Sequence, residues 1–100
     1  MNKLSPNDLK KHAAKAANML KSLSNENRLM ILCSLIEGEL TVGELNQRIA
    51  LSQSALSQQL AYLREQKLVK TRRESQTIFY TLNGDQAIQV IRVLHTIYCP

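Results

Sequence analysis

Between Thr41 and Glu65 the apolar residues fall at helical spacing in two short blocks separated by a polar break. In the first, Val42, Leu45 and Ile49 recur at i, i+3 and i+7; in the second, Leu56, Leu60 and Leu63 recur at i, i+4 and i+7. Each block predicts a short helix that buries one stripe. Thr41 and Glu44 have the spacing of a capping box, Ser52 is a natural N-cap for the second helix, and Ala50 and Leu51 are left to make the turn. With the leucines turned inward, Gln53, Ser54, Ser57 and Gln58 occupy the outer face of the second helix in its first two turns. Hydrogen-bonding side chains at that end of the second helix are what a helix-turn-helix presents to base edges.

The flanking pattern completes the domain. Ser5-Pro6-Asn7-Asp8 supplies an N-cap, a proline at the first helical position and an acidic residue closing the box. The helix it opens runs to about Lys21, with Ala13, Ala16, Ala17 and Leu20 on one face and Lys10, Lys11 and Lys15 outside. Ser24 is read as the cap of a second helix, lined by Leu29, Leu32, Cys33 and Ile36 and stopped by Gly38. From Leu68 the period changes to two. Val69–Glu74 and Thr77–Leu82 are rich in β-branched and aromatic residues around a polar turn, which predicts a β-hairpin. Asn83-Gly84-Asp85 then starts a last helix to about Tyr98, with Val90, Ile91, Leu94 and Ile97 apolar. The expected fold is mainly α with a β-hairpin wing: one winged helix-turn-helix domain over residues 1–100, its helix-turn-helix at 41–65 and its wing at 68–82.

Charge sharpens the picture. The formal net charge is +5, but residues 31–59 are net negative while 1–30 and 60–80 are positive, so basic groups flank the reading helix. Such flanks suit phosphate contacts, which supply most sequence-independent affinity. Lys70, Arg72 and Arg73 on the wing are expected to reach phosphates or the minor groove, with Gln76 and Thr77 contacting backbone at its tip. The competing reading is an ordinary edge hairpin guarded by its charges. The apolar stripes of the first and last helices have no partner inside so small a fold, which implies an interface. A homodimer through those helices would set two reading helices one turn apart on an inverted repeat of double-stranded DNA. No segment is apolar over the length a membrane span needs, so a cytoplasmic protein with no membrane partner is expected. An enzyme is not expected: there is no Cys-x-x-Cys, no Gly-rich loop and no acid–base pair.

Leu23-Ser24-Asn25-Glu26-Asn27-Arg28-Leu29-Met30-Ile31-Leu32, with its capped start and R-L-x-I-L, resembles the second-helix signature of the ArsR/SmtB family of dimeric winged-helix repressors. Gly43-Glu44-Leu45 and Leu51-Ser52-Gln53-Ser54-Ala55-Leu56-Ser57-Gln58-Gln59-Leu60 resemble its reading unit, and the likeness runs from about Ala14 to Cys99. Many members of that family sense metals. The commonest site uses Cys-x-Cys where this chain has Thr41-Val42-Gly43, and a second uses Asp and His on the last helix, where Asp85 is followed two positions later by Ala87. No metal and no cofactor is therefore expected, and His12 and His95 are left without a ligand set.

Cys33 in the second helix and Cys99 at the end of the last one make the chain resemble the HlyU/BigR/SqrR branch, in which such a pair senses oxidants or reactive sulfur. The resemblance implies a regulator whose operator affinity responds to oxidation or sulfur transfer at Cys33 and Cys99. The residues alone leave another reading open: Cys33 as a packing residue, Cys99 as an incidental thiol, and a DNA-binding regulator or anti-silencer whose occupancy is set by concentration. His95, four residues before Cys99, shares its helix face and would raise its thiolate fraction.

Overall fold

A computed structural model of the chain describes residues 5–99. Its elements run α1 (Pro6–Leu23), α2 (Glu26–Ser34), β1 (Leu40–Thr41), α3 (Val42–Arg48), α4 (Gln53–Glu65), β2 (Val69–Glu74), β3 (Thr77–Leu82) and α5 (Gln86–Tyr98). Ser5 caps α1, its hydroxyl accepting from the Asp8 amide at 3.2 Å. The cap of α2 differs from the expectation. Asn25 holds that place, its Oδ1 accepting from the Arg28 amide at 3.0 Å, whereas Ser24 closes α1 by donating to the Lys21 carbonyl. The length of α1 decides it: the helix runs on to Leu23 and takes Ser24 as its C-cap, so Asn25 is the residue left to cap α2. Gly38, at φ 147°, turns the chain from α2 into β1, a conformation that L side chains rarely adopt.

The hairpin has the expected bounds, with Val69 opposite Leu82 and Glu74 opposite Thr77. Ser75, one of the two residues at its tip, sits at φ 58°. A two-residue strand completes the sheet: Leu40 pairs with Tyr80 and Thr41 with Phe79, giving the antiparallel order β1-β3-β2. The wing is thereby fastened to the residue that caps α3.

The core draws on every layer. Ile31 and Leu32 of α2, Leu45 of α3 and Ile49 at its C-cap, Leu56, Leu60 and Leu63 of α4, and Val69 of β2 are buried to 2 % exposure or less. Fully burying one such side chain is worth about 1.5–3 kcal/mol, so the leucine stripe of α4 seats that helix firmly. Two helices leave apolar groups outside. Ala13, Ala16 and Ala17 of α1 are exposed, as are Leu20 at 58 %, and Val93 and Ile97 of α5 at 60 % each.

Candidate nucleic-acid interface and thiol pocket

Local hydrogen bonds fix the angle between α3 and α4. Thr41 and Glu44 form a complete capping box, the Thr41 hydroxyl accepting from the Glu44 amide at 3.2 Å and the Glu44 carboxylate from the Thr41 amide at 3.0 Å. Ser52 caps α4 by accepting from the Ala55 amide at 3.1 Å. Asn46 latches the turn between them, its side-chain amide donating to the Leu51 carbonyl at 2.8 Å. Because Leu56, Leu60 and Leu63 take the inner face, Gln53, Ser54, Ser57 and Gln58 are brought together on the exposed outer face at the start of α4. That end also carries the positive pole of the helix dipole and its unpaired amides, which favour phosphate.

On the wing, Lys70, Arg73, Gln76 and Thr77 are exposed. Arg72 is engaged instead. Its guanidinium forms a two-pronged ion pair with Glu39, including a 2.7 Å bond from Nε. It also reaches Glu74 at 2.8 Å and lies over the Phe79 ring, 4.3 Å from the centroid. The Arg72 hydrogen bonds hold the Glu39 carboxyl below the usual carboxylate range, and the same pairing pushes the guanidinium further up. Arg72 therefore spans the sheet from β2, over β3, to the residue before β1. Glu39 carries no motif of its own in the sequence; only the pairing of β1 with β3 brings it within reach.

The two cysteines come together. Packing of α2 against α5 leaves a shallow pocket of about 180 Å³ lined by Leu29, Cys33, Ile91, Leu94, His95, Tyr98 and Cys99. Its walls are almost wholly apolar, and both thiols are free and reached by solvent. Partial burial against these walls, with a smaller contribution from Cys99, pushes the Cys33 thiol above the usual range. Cys99 closes α5, its amide donating to the His95 carbonyl at 2.7 Å. Among the described residues no group of three or more His, Cys, Asp or Glu side chains is clustered as metal ligands would be, and no helix is long and apolar enough to cross a membrane.

This arrangement has close counterparts. Residues 25–71 match the family profile described as "Bacterial regulatory protein, arsR family". Over 92 residues, covering 92% of this chain and 85% of the relative, the sequence is 53% identical to the transcriptional activator HlyU of Vibrio cholerae. The structure superposes on that of reduced HlyU from Vibrio cholerae with a TM-score of 0.86 at 53% identity, covering 93% of this chain and 98% of the other. It superposes on the transcriptional repressor BigR from Xylella fastidiosa with a TM-score of 0.87 at 47% identity, covering 97% and 99%.

Proposed function

The chain belongs to the ArsR family of bacterial DNA-binding transcriptional regulators, and from that premise we propose that it is a homodimer whose operator affinity is switched by Cys33 and Cys99. It is a regulator and not an enzyme. In this reading Gln53, Ser54, Ser57 and Gln58 contact base edges in the major groove, where one well-placed side chain contributes about 1–3 kcal/mol of discrimination. Lys70 and Arg73 bind phosphate, with Gln76 and Thr77 at the wing tip. Arg72, held by two carboxylates, braces the wing that carries them. The exposed faces of α1 and α5 join two protomers, and the pair of reading helices addresses an inverted repeat. A protein of this kind works in the cytoplasm, where the chromosome is accessible.

The observation that carries the switch is the shared pocket: two free thiols face one apolar hollow between α2 and α5. Oxidation there balances simply. One thiolate takes oxygen from a hydroperoxide, releasing the alcohol or water and leaving a sulfenic acid. The second thiol then displaces water from it to form a disulfide. A low-molecular-weight persulfide reaches the same product by transferring its outer sulfur to one cysteine and releasing its thiol. Attack by the other cysteine then expels hydrogen sulfide. A plain disulfide needs Cα atoms within about 7 Å; across a wider gap a second persulfide molecule first transfers its outer sulfur to the other cysteine, and attack of one cysteine persulfide on the other expels hydrogen sulfide and leaves a trisulfide. Either bridge ties α5 to α2 and alters the dimer faces that set the spacing of the reading helices. One structural relative has been solved in a reduced form, which fits a protein with more than one thiol state. The relatives include an activator and a repressor, so the sign of regulation follows from where the operator lies in a promoter.

The test is the intact mass of the reduced protein after separate exposure to hydrogen peroxide and to an organic persulfide, followed by peptide mapping. A Cys33–Cys99 crosslink that lowers operator affinity is the expected result. Absence of a crosslink under both reagents, or a crosslinked protein that binds as before, would refute the switch and leave a regulator governed by its concentration.

A further inference from the structure

The Arg28 side chain, which stands on α2, makes directional contacts with both α1 and α4. It stands at the third position of α2, and a helical side chain leans back towards the N-terminus of its helix. That carries its guanidinium onto the end of α1, where Nε donates to the Ser22 carbonyl at 2.6 Å and Nη2 to the Lys21 carbonyl at 3.1 Å. These carbonyls lie in the last turn of α1, where the helix dipole favours a cation; the Lys21 carbonyl also accepts from the amide and hydroxyl of Ser24. On the other side, Nη1 donates to Gln59 Oε1 at 3.3 Å, and the planar group lies over the Tyr62 ring, 4.3 Å from its centroid. Gln59 and Tyr62 belong to α4. The contact is closed by Ser22, which is 1 % exposed and shares a 3.2 Å hydrogen bond with the Tyr62 hydroxyl.

We propose that Arg28 is a positioning residue that sets the angle of the reading helix α4 against α1. The inference deepens the DNA-binding reading above, because it assigns a residue far from the bases to the geometry with which they are read. The chemistry suits arginine in particular. Its rigid fork serves two carbonyls and an amide oxygen in three directions while its face stacks on an aromatic ring, and an ammonium group cannot do both. Apolar packing seats α4 in the core but leaves its tilt about the leucine stripe to directional contacts, and the four partners of Arg28 supply those together with the Ser22–Tyr62 and Asn18–Gln66 hydrogen bonds. In a dimer joined through α1, a change in that tilt moves both reading helices relative to their half-sites. Arg28 also shares α2 with Cys33, so a displacement of α2 at the thiol pocket is carried to α4 through the same side chain.

The test compares the unsubstituted chain with Arg28→Lys, which keeps the charge and loses the fork, and with Gln59→Leu, which removes one partner on α4. Nitroxide labels are placed at Lys11→Cys and Ala61→Cys in a Cys33→Ser, Cys99→Ser chain. The labelled chain is diluted with unlabelled chain so that only distances within one protomer are read. Arg28→Lys is expected to shift or broaden the α1–α4 distance distribution and to weaken binding to the duplex the parent selects from a random library by about tenfold, a typical size for coupling between sites. Gln59→Leu is expected to move both readouts in the same direction by less. A distribution identical to the parent's overturns the proposal, whether or not stability falls, because a merely structural arginine would lower the melting temperature without moving the helix. A parent chain that selects no duplex at all would count against the DNA-binding reading, while the distance measurement would still decide what Arg28 holds.

Discussion

Ser52 offers two substitutions that separate the stability of the reading helix from its use. Its hydroxyl accepts from the Ala55 amide at 3.1 Å and is the side-chain cap of α4. Loss of such a cap costs about 1 kcal/mol, which for a domain of this size lowers Tm by about 4–8 °C. Ser52→Ala should show that drop, together with weaker DNA binding, because the frayed turn carries Gln53 and Ser54. Ser52→Asp keeps an acceptor at the cap and adds a negative charge that the helix dipole favours, so Tm should hold or rise slightly. In the proposed complex the same charge would meet the phosphates that α4 approaches. Against one phosphate at about 4 Å the repulsion is about 1 kcal/mol even in water, and larger where solvent is excluded. Ser52→Asp should therefore bind at least fivefold more weakly than the parent at moderate salt, with part of the loss recovered as salt weakens binding of both. The assays are thermal unfolding and a fluorescence-anisotropy titration of the selected duplex. A Ser52→Asp chain that keeps its Tm and binds DNA as tightly as the parent would refute the placement of the α4 N-terminus against the nucleic acid.

Three further outcomes follow from named contacts. Glu39→Gln should release the wing, read as faster hydrogen exchange of the β2 and β3 amides after correction for intrinsic rates. Because the Glu39 carboxyl is held below the usual range, the brace is present at neutral and weakly acidic pH and is lost only as pH falls through that depressed value; wing exchange that accelerates near neutral pH would contradict it. Ser75→Gly should relieve the positive φ at the hairpin tip and stabilise the protein by about 0.5–1 kcal/mol, the cost of the left-handed conformation less the entropy of glycine; a lower Tm would show that Ser75 does more than turn the chain. Alkylation of Cys33 by iodoacetamide should have a pH midpoint above the usual thiol range. Cys99→Ser should lower that midpoint only part of the way, since burial is the larger cause; a midpoint at or below the usual range would overturn the picture of an apolar pocket.

What the sequence made legible is what depends on short range. The stripe Leu56, Leu60 and Leu63, the capping box Thr41–Glu44, the Ser52 cap and both strand bounds follow from residues within a few positions of one another, and all stand in the structure as read. The α2 cap read at Ser24 stands instead at Asn25, whose side chain accepts from the Arg28 amide, because α1 extends to Leu23 and takes Ser24 as its own C-cap. The contacts that could not be read join distant positions. β1 is two residues long and exists only because β3 lies beside it. The hold of Glu39 on Arg72 depends on that pairing, as the hold of Arg28 on Gln59 and Tyr62 depends on the packing of three helices. Cys33 shows the same limit. Helical spacing put it beside Leu29, Leu32 and Ile36, yet it lies at the edge of that stripe, exposed and facing α5.

The most direct test of the central claim is the affinity of one preparation for its selected duplex, measured reduced, then crosslinked between Cys33 and Cys99, then reduced again. The account predicts a fall of about 5- to 150-fold on crosslinking, the usual span for coupled sites, and full recovery on reduction. An unchanged dissociation constant in the crosslinked protein would contradict it, and would leave DNA binding by α4 and the wing independent of the thiols.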